Sequence, residues 1–203
     1  MSNRSAPKAE RPSSSNLSAE LTRTITEAVL SELAEVGYGQ LSMDGVARRA
    51  KAGKSALYRR WPSKQEMILD AVSGVSVPEI AVDASQDLRT VVTSAVEAVD
   101  SWLTSGMNRR IVPDLIAEAL RNPALDTALT ERIGVMRRRY WREVFEQRIE
   151  TEEVSAGADI EYALDLLAAP LFWRACGRRR ESDKALKQNV IQSIMVVLHP
   201  ATR

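Results

Sequence analysis

From residue 18 onward, apolar side chains fall at Leu21, Ile25, Val29, Leu33 and Val36, a single stripe along one face of a helix. Gly37 and Gly39 predict its end. Met43, Val46, Ala47 and Ala50 then repeat at helical spacing, 51–53 interrupt them, and Leu57 and Trp61 resume the repeat. Met67, Ile68, Ala71, Val72 and Val75 continue it in a fourth helix, and Val77-Pro78 breaks the pattern. Beyond the break, residues 87–103 predict a helix with a broad apolar face, and residues 110–121 a shorter one with Pro113 close to its start. From Asn122-Pro123 one long helix is expected, with Leu125, Leu129, Ile133, Met136, Tyr140, Val144 and Ile149 on its stripe. A polar loop at 150–159 precedes two further amphipathic helices. The expected fold class is all-α: an N-terminal three-helix unit, a linking fourth helix and a C-terminal helical bundle.

The short helices at 42–61 have the form of a helix-turn-helix, two helices joined by a connection of a few residues. Ser42 predicts an N-cap for the first. On the second, Lys54, Ser55, Ala56, Tyr58 and Arg59 are left for the outside, and Lys54, in the first turn, is best placed to reach a base edge or a phosphate. Pro62 stops that helix, and Ser63-Lys64-Gln65-Glu66 restarts the chain with a capping box. Lys64, in the first turn that follows, makes an anion site there.

Charge sharpens this picture. Between residues 46 and 61 stand Arg48, Arg49, Lys51, Lys54, Arg59 and Arg60 with no acid among them, in a chain whose net charge is +1. Residues 1–64 hold 11 basic and 6 acidic side chains, the remainder 17 and 21. A basic head on an acidic body turns one end of the molecule toward phosphates. At 203 residues and 44% hydrophobic, the chain has room for a small domain and a mid-sized one. The expected division is a disordered arm at 1–17, read first as a solvated tail and only second as one whose Arg4, Lys8 and Arg11 visit a minor groove, a DNA-binding head at 18–76, and a body at 77–203. One cysteine, Cys176, a polar N-terminus and the lack of a long apolar run fit a cytoplasmic protein.

The run GKSALYRRWPSKQEMI, preceded by LSMDGVARRA, resembles the DNA-binding domain of the TetR family of bacterial transcriptional regulators. The resemblance implies three N-terminal helices for DNA and a helical C-terminal domain for dimerisation and ligand sensing. It implies DNA contacts at Ser42, Lys51, Gly53, Lys54, Ser55, Ala56, Tyr58, Arg59, Arg60 and Lys64, with Tyr58 on a phosphate. The chain departs from many members at three of these positions. Lys51 stands where a turn glycine is common, Gly53 where serine caps the recognition helix, and Ala56 where threonine is usual. The run DLLAAPLFWR also resembles the penultimate helix of one TetR-type C-terminal domain.

Two adjacent apolar helices at the C-terminus predict a four-helix homodimer interface. Leu164, Leu167, Ala168 and Leu171 supply one, Leu186, Val190, Ile194 and Val197 the other. Large or soft residues that either line an effector pocket or simply fill the core are Trp102, Met107, Tyr140, Trp141, Tyr162, Phe172, Trp173 and Cys176. Charge available to such a pocket is scarce, which points to a neutral or apolar effector. The far end of the fourth helix, near Val72 and Val75, is expected to rest on the body beside it. The sequence holds no Cys/His cluster for zinc, no phosphate-cradling glycine loop, and one histidine, His199, near the end. No cofactor and no catalytic set is therefore expected. Three readings stand: a ligand-released dimeric repressor on an operator, a similar regulator answering to a protein partner or to nothing, and a helical binding protein or enzyme with a vestigial head.

Overall fold

The computed structural model describes residues 14–74 and 85–199, apart from the side chains of residues 14–17, 136 and 137. The arm residues Arg4, Lys8 and Arg11, the expected break at Val77-Pro78, Val75 and the tail from Pro200 lie outside these residues. So do the side chains of Met136 and Arg137. Among the described residues all regular structure is helical.

Helix α1 (Ser14–Gln40) starts inside the segment expected to be disordered. Its regular turns end where the glycine signal put them, because Gly37 takes φ 76° and ψ 170°, a conformation open essentially to glycine alone. The stripe from Ile25 through Leu33 is buried against α2 (Met43–Arg49), α3 (Lys54–Tyr58) and α4 (Lys64–Ser73). Ser42 and Ser63 cap α2 and α4, each accepting an amide three residues on at 3.1 Å. The capping box at Ser63 is half made, because the Glu66 carboxylate goes to Arg132 instead, at 2.9 Å.

The body contains α5 (Leu88–Thr104), α6 (Asn108–Ala119), α7 (Pro123–Leu129), α8 (Val135–Glu150), α9 (Ile160–Phe172) and α10 (Lys184–Leu198). Pro113 lies in the interior of α6 rather than its first turn, and gives no amide to the Arg109 carbonyl. The long helix expected from Asn122 is divided by a π-helical turn, Thr130–Gly134. Such a wide turn absorbs an extra residue and re-aims the stripe. Before it, Leu125 is buried with the core of the head; after it, Phe145 is buried with the core of the body. Pro170 removes one rung of α9 shortly before a second π turn, Trp173–Gly177. The Arg109 guanidinium donates to the Ala175 carbonyl in that turn at 3.0 Å.

Two apolar cores result, and they do not follow the break in the sequence. Ile111 and Leu115 of α6 join Leu125 in the same buried cluster as Ile25, Val46, Leu57 and Met67. The second core gathers α5, α8, α9 and α10 around Val96, Phe145, Leu171 and Ile194.

The expected dimer residues lie in or beside this second core. Leu164, Leu167, Leu171, Val190 and Ile194 are buried within their own chain, and Leu186 and Val197 are half-buried against them. An amphipathic helix shows one apolar stripe, and here α9 and α10 use it on each other and on α5. Ala168 and Tyr162 of α9 and Val196 of α10 are exposed, and so is Trp173 in the π turn that follows α9.

Candidate nucleic-acid interface

Helix α2 begins at a capped serine and ends in a turn made by Lys51, whose φ of 50° is left-handed. The turn closes with the Ala52 amide on the Ala47 carbonyl at 3.0 Å, the bond pattern that usually selects glycine. Lys51 thus occupies, with backbone strain, the position where the family resemblance expected glycine. Gly53 then stands at the N-cap of α3 with no side chain to offer.

The basic block divides into two groups. Arg48, Lys51 and Arg59 are exposed and, among the described residues, carry no ion pair. The others are turned onto the protein. Arg49 bonds Glu32 at 2.7 Å and also Glu35, both on α1. Arg60 reaches back to Thr22 Oγ1 at 3.0 Å, Ser18 Oγ at 3.1 Å and the Ala56 carbonyl at 3.0 Å. Lys64 donates to the Tyr38 carbonyl at 2.8 Å and lies 4.5 Å from the centre of that ring. Lys54 pairs with Asp44, one helix earlier, at 2.5 Å.

The remaining expected contacts sort by exposure. Ser42, Gly53 and Ser55 are exposed, and Tyr58 is 54% exposed. Ala56 is not on this surface: only 8% of it is exposed, because α3 is one short turn whose inner side takes in both Ala56 and Leu57. Trp61, expected inside, is buried there and donates from Nε1 to Asp70 at 2.9 Å.

The head is bolted to the body near this surface. The Tyr38 amide donates to Asp114 Oδ2 at 2.7 Å, and Gln65 donates to the Ala124 carbonyl at 3.4 Å. Together with Glu66–Arg132, these bonds grip the first turn of α4 and the end of α1. The far end of α4 was expected to rest on the body; these bonds fasten its near end. Burial, with the Glu118 carboxylate adding to it, pushes the Tyr38 phenol up. Asp44, Tyr38 and Asp114 were missed in the sequence, since each acts through a partner 10 or more residues away on another element.

Met107, Tyr162 and Trp173 are exposed, while Trp102, Trp141, Phe172 and Cys176 are half-buried beside the body core. Tyr140 lies on a hollow of about 360 Å³ along α8, with Glu143, Val144, Gln147, Arg148, Thr151 and Glu153. Arg148, 6% exposed, pairs there with Glu153 at 3.2 Å. Burial pushes the Cys176 thiol up, against the opposing pull of Arg109.

Residues 25–71 match the family described as bacterial regulatory proteins, tetR family, and residues 82–194 match the tetracyclin repressor-like C-terminal domain. The chain belongs to the TetR family. An uncharacterized HTH-type transcriptional regulator of Mycobacterium tuberculosis, Rv1556, is 27% identical over 192 residues, covering 93% of this chain and 92% of the relative. The DNA-binding transcriptional repressor TetR of Mycobacteroides abscessus is 26% identical over 175 residues, 82% of this chain and 88% of that one. In fold, this TetR-family chain is similar to the transcriptional regulator FadR from Bacillus subtilis, solved in complex with stearoyl-CoA. Their TM-score is 0.72 at 16% identity, with 87% of this chain and 99% of FadR covered. The protein is thus a helix-turn-helix transcriptional regulator of that family. Among the described residues, no helix is long and apolar enough to cross a membrane.

Proposed function

We propose that the protein is a homodimeric cytoplasmic repressor that binds a double-stranded operator through α2 and α3 and is released by a small-molecule effector. The observation that carries the reading is that Arg48, Lys51 and Arg59 of the helix-turn-helix are exposed, as Tyr58 is, and form no ion pair among the described residues. Phosphates neutralise such a surface, and Ser55 and Lys54 stand where base edges would come. We propose a regulator rather than an enzyme, as the matched relatives named above are regulators.

Dimerisation is proposed through the outer faces of α9, the π turn after it and α10, where Tyr162, Ala168, Trp173 and Val196 are exposed. A two-fold pair would set the recognition helices about 34–36 Å apart, one turn of B-DNA. The division into a head to residue 76 and a body from residue 77 is kept as part of this proposal. The effector is proposed to be neutral or apolar and to enter among the half-buried Trp102, Trp141, Phe172 and Cys176; the FadR neighbour was solved with stearoyl-CoA.

The test is footprinting on the intergenic DNA beside the gene, followed by titration at several salt concentrations. A protected two-fold site is expected, with affinity falling steeply as salt rises. No protection, or affinity flat in salt, would refute the reading.

A further inference from the structure

Lys54 is the one cation of the recognition helix that is both exposed and paired. Its ammonium lies 2.5 Å from Asp44 Oδ2, and the two side chains are 62% and 47% exposed. Arg49, Arg60 and Lys64 have several partners each or bond the backbone of the head, which makes them structural. Among the described residues Lys54 has one partner, with a side chain 47% exposed, and a pair of that kind is weakly held and readily exchanged.

The position is what gives the pair a consequence. Lys54 is the first residue of α3, the point from which a recognition helix reaches base edges. Asp44 is in the first turn of α2, a favourable place for an acid, so it is held independently of Lys54. Its carboxylate brings a negative charge to the surface that Arg48, Lys51 and Arg59 otherwise make positive.

We infer that Asp44 is a specificity-determining residue, which withholds Lys54 from phosphates and yields it only to a base edge in the operator. This rests on the reading that the head binds DNA. A DNA phosphate meeting the intact pair meets no net charge, so Lys54 contributes nothing to sequence-independent binding. A guanine offers O6 and N7 to a lysine in the major groove, a geometry a single phosphate oxygen does not match. Opening the pair is then compensated on the right sequence and not on the wrong one. The carboxylate acts as a competing acceptor that only a better-placed acceptor displaces.

The experiment uses the full-length protein and a 30-bp mixed-sequence duplex, with fluorescence anisotropy across a salt series. Wild type, Asp44→Asn, Lys54→Ala and the double variant are compared, and circular dichroism checks that each is folded. Asp44→Asn is expected to bind this random duplex roughly tenfold more tightly, with a log–log salt slope steeper by about 0.9 for each head engaged. In the Lys54→Ala background the same change should give no such gain. On the footprinted operator, Asp44→Asn should gain less than on random DNA, so the ratio between the two falls. Asp44→Ser serves as a second variant, since serine also suits a helix start.

A gain that persists in the Lys54→Ala background means that Asp44 merely repels DNA, and the inference is overturned. An unchanged random-DNA affinity in Asp44→Asn overturns it equally. If wild type and every variant fail to bind any duplex at low salt, the DNA-binding reading falls and takes this inference with it.

Discussion

The Tyr38 amide donates to the Asp114 carboxylate at 2.7 Å, which fastens the end of α1 to α6 across the two halves of the chain. The Tyr38 carbonyl accepts from Lys64 on its other side, so the backbone of one residue links α1, α4 and α6. Asp114→Ala removes a charged acceptor from a part-buried amide and should cost about 1–3 kcal/mol of stability. Gly37→Ala should cost a similar amount: the added Cβ would lie 2.8 Å from Asp114 Oδ1, on a backbone at φ +76°. Urea denaturation measures both. Because they disturb one contact, the double variant should cost less than the two losses added together.

The two groups of basic residues should separate in a salt titration. Arg48→Ala and Arg59→Ala should each reduce the log–log slope by about 0.9 for each head engaged and leave the melting temperature unchanged. Arg60→Ala should do the reverse, because its guanidinium holds Ser18, Thr22 and the Ala56 carbonyl. A slope that fell as far for Arg60→Ala as for Arg59→Ala would mean that its inward bonds open on DNA.

Lys51→Gly sets fold against function at one position. Glycine relieves a left-handed backbone at φ 50° that costs an L-residue roughly 1–2 kcal/mol, so the variant should melt higher. It should also bind DNA more weakly and with a shallower salt slope. Thermal melting and anisotropy on one preparation read both effects, and a variant that lost stability would refute the strain argument.

On α9 and α10, inward and outward positions should fail differently. Leu167→Glu buries a charge in the chain's own core and should unfold the protomer, a loss of several kcal/mol. Val196→Glu alters a side chain that is 58% exposed and should leave a folded monomer with weakened operator binding. Sedimentation velocity with circular dichroism distinguishes these outcomes. A Val196→Glu protein that remained dimeric would move the interface elsewhere.

Acid should loosen the body through its helix caps. The Thr90 hydroxyl and amide hold the Asp87 carboxyl below the usual carboxylate range, and the Leu186 amide, chiefly, does the same for Asp183. A lowered folded-state value contributes stability that is present above the unfolded value of about 4 and is lost as pH falls through the folded one. Urea midpoints should therefore hold from neutrality down to about pH 5 and drop below about pH 4. Asp87→Asn keeps a capping oxygen without the titration, so its drop should be shallower. An identical drop would assign the acid sensitivity to other carboxylates.

Elements that follow local periodicity were legible in the sequence. The stripe from Leu21 to Leu33, the caps at Ser42 and Ser63 and the turn at 51–53 all depend on neighbours within a few residues. Which side of an apolar helix faces its own chain was not legible. Leu167 and Ile194 suit a partner and an internal core equally, and only the packing of α5 against them decides. For the same reason Arg59 and Arg60, adjacent and identical in chemistry, read alike until α1 is seen beside Arg60. The π turn at 130–134 escaped notice because a stripe spaced three to five residues apart absorbs one extra residue without visible interruption.

The apolar cluster that joins Val46 and Leu57 to Ile111, Leu115 and Leu125 bears on how such a protein can be recombined. A chain cut after residue 74 and joined to another body would leave the buried side of its head without the three residues that complete it. A graft would succeed only where the new body brings leucine- or isoleucine-sized groups to the same places and an acid to meet the Tyr38 amide. The smallest piece that carries its own core therefore extends through α7, well past the linker, and exchange between relatives should preserve α6 and α7 together with the head they complete.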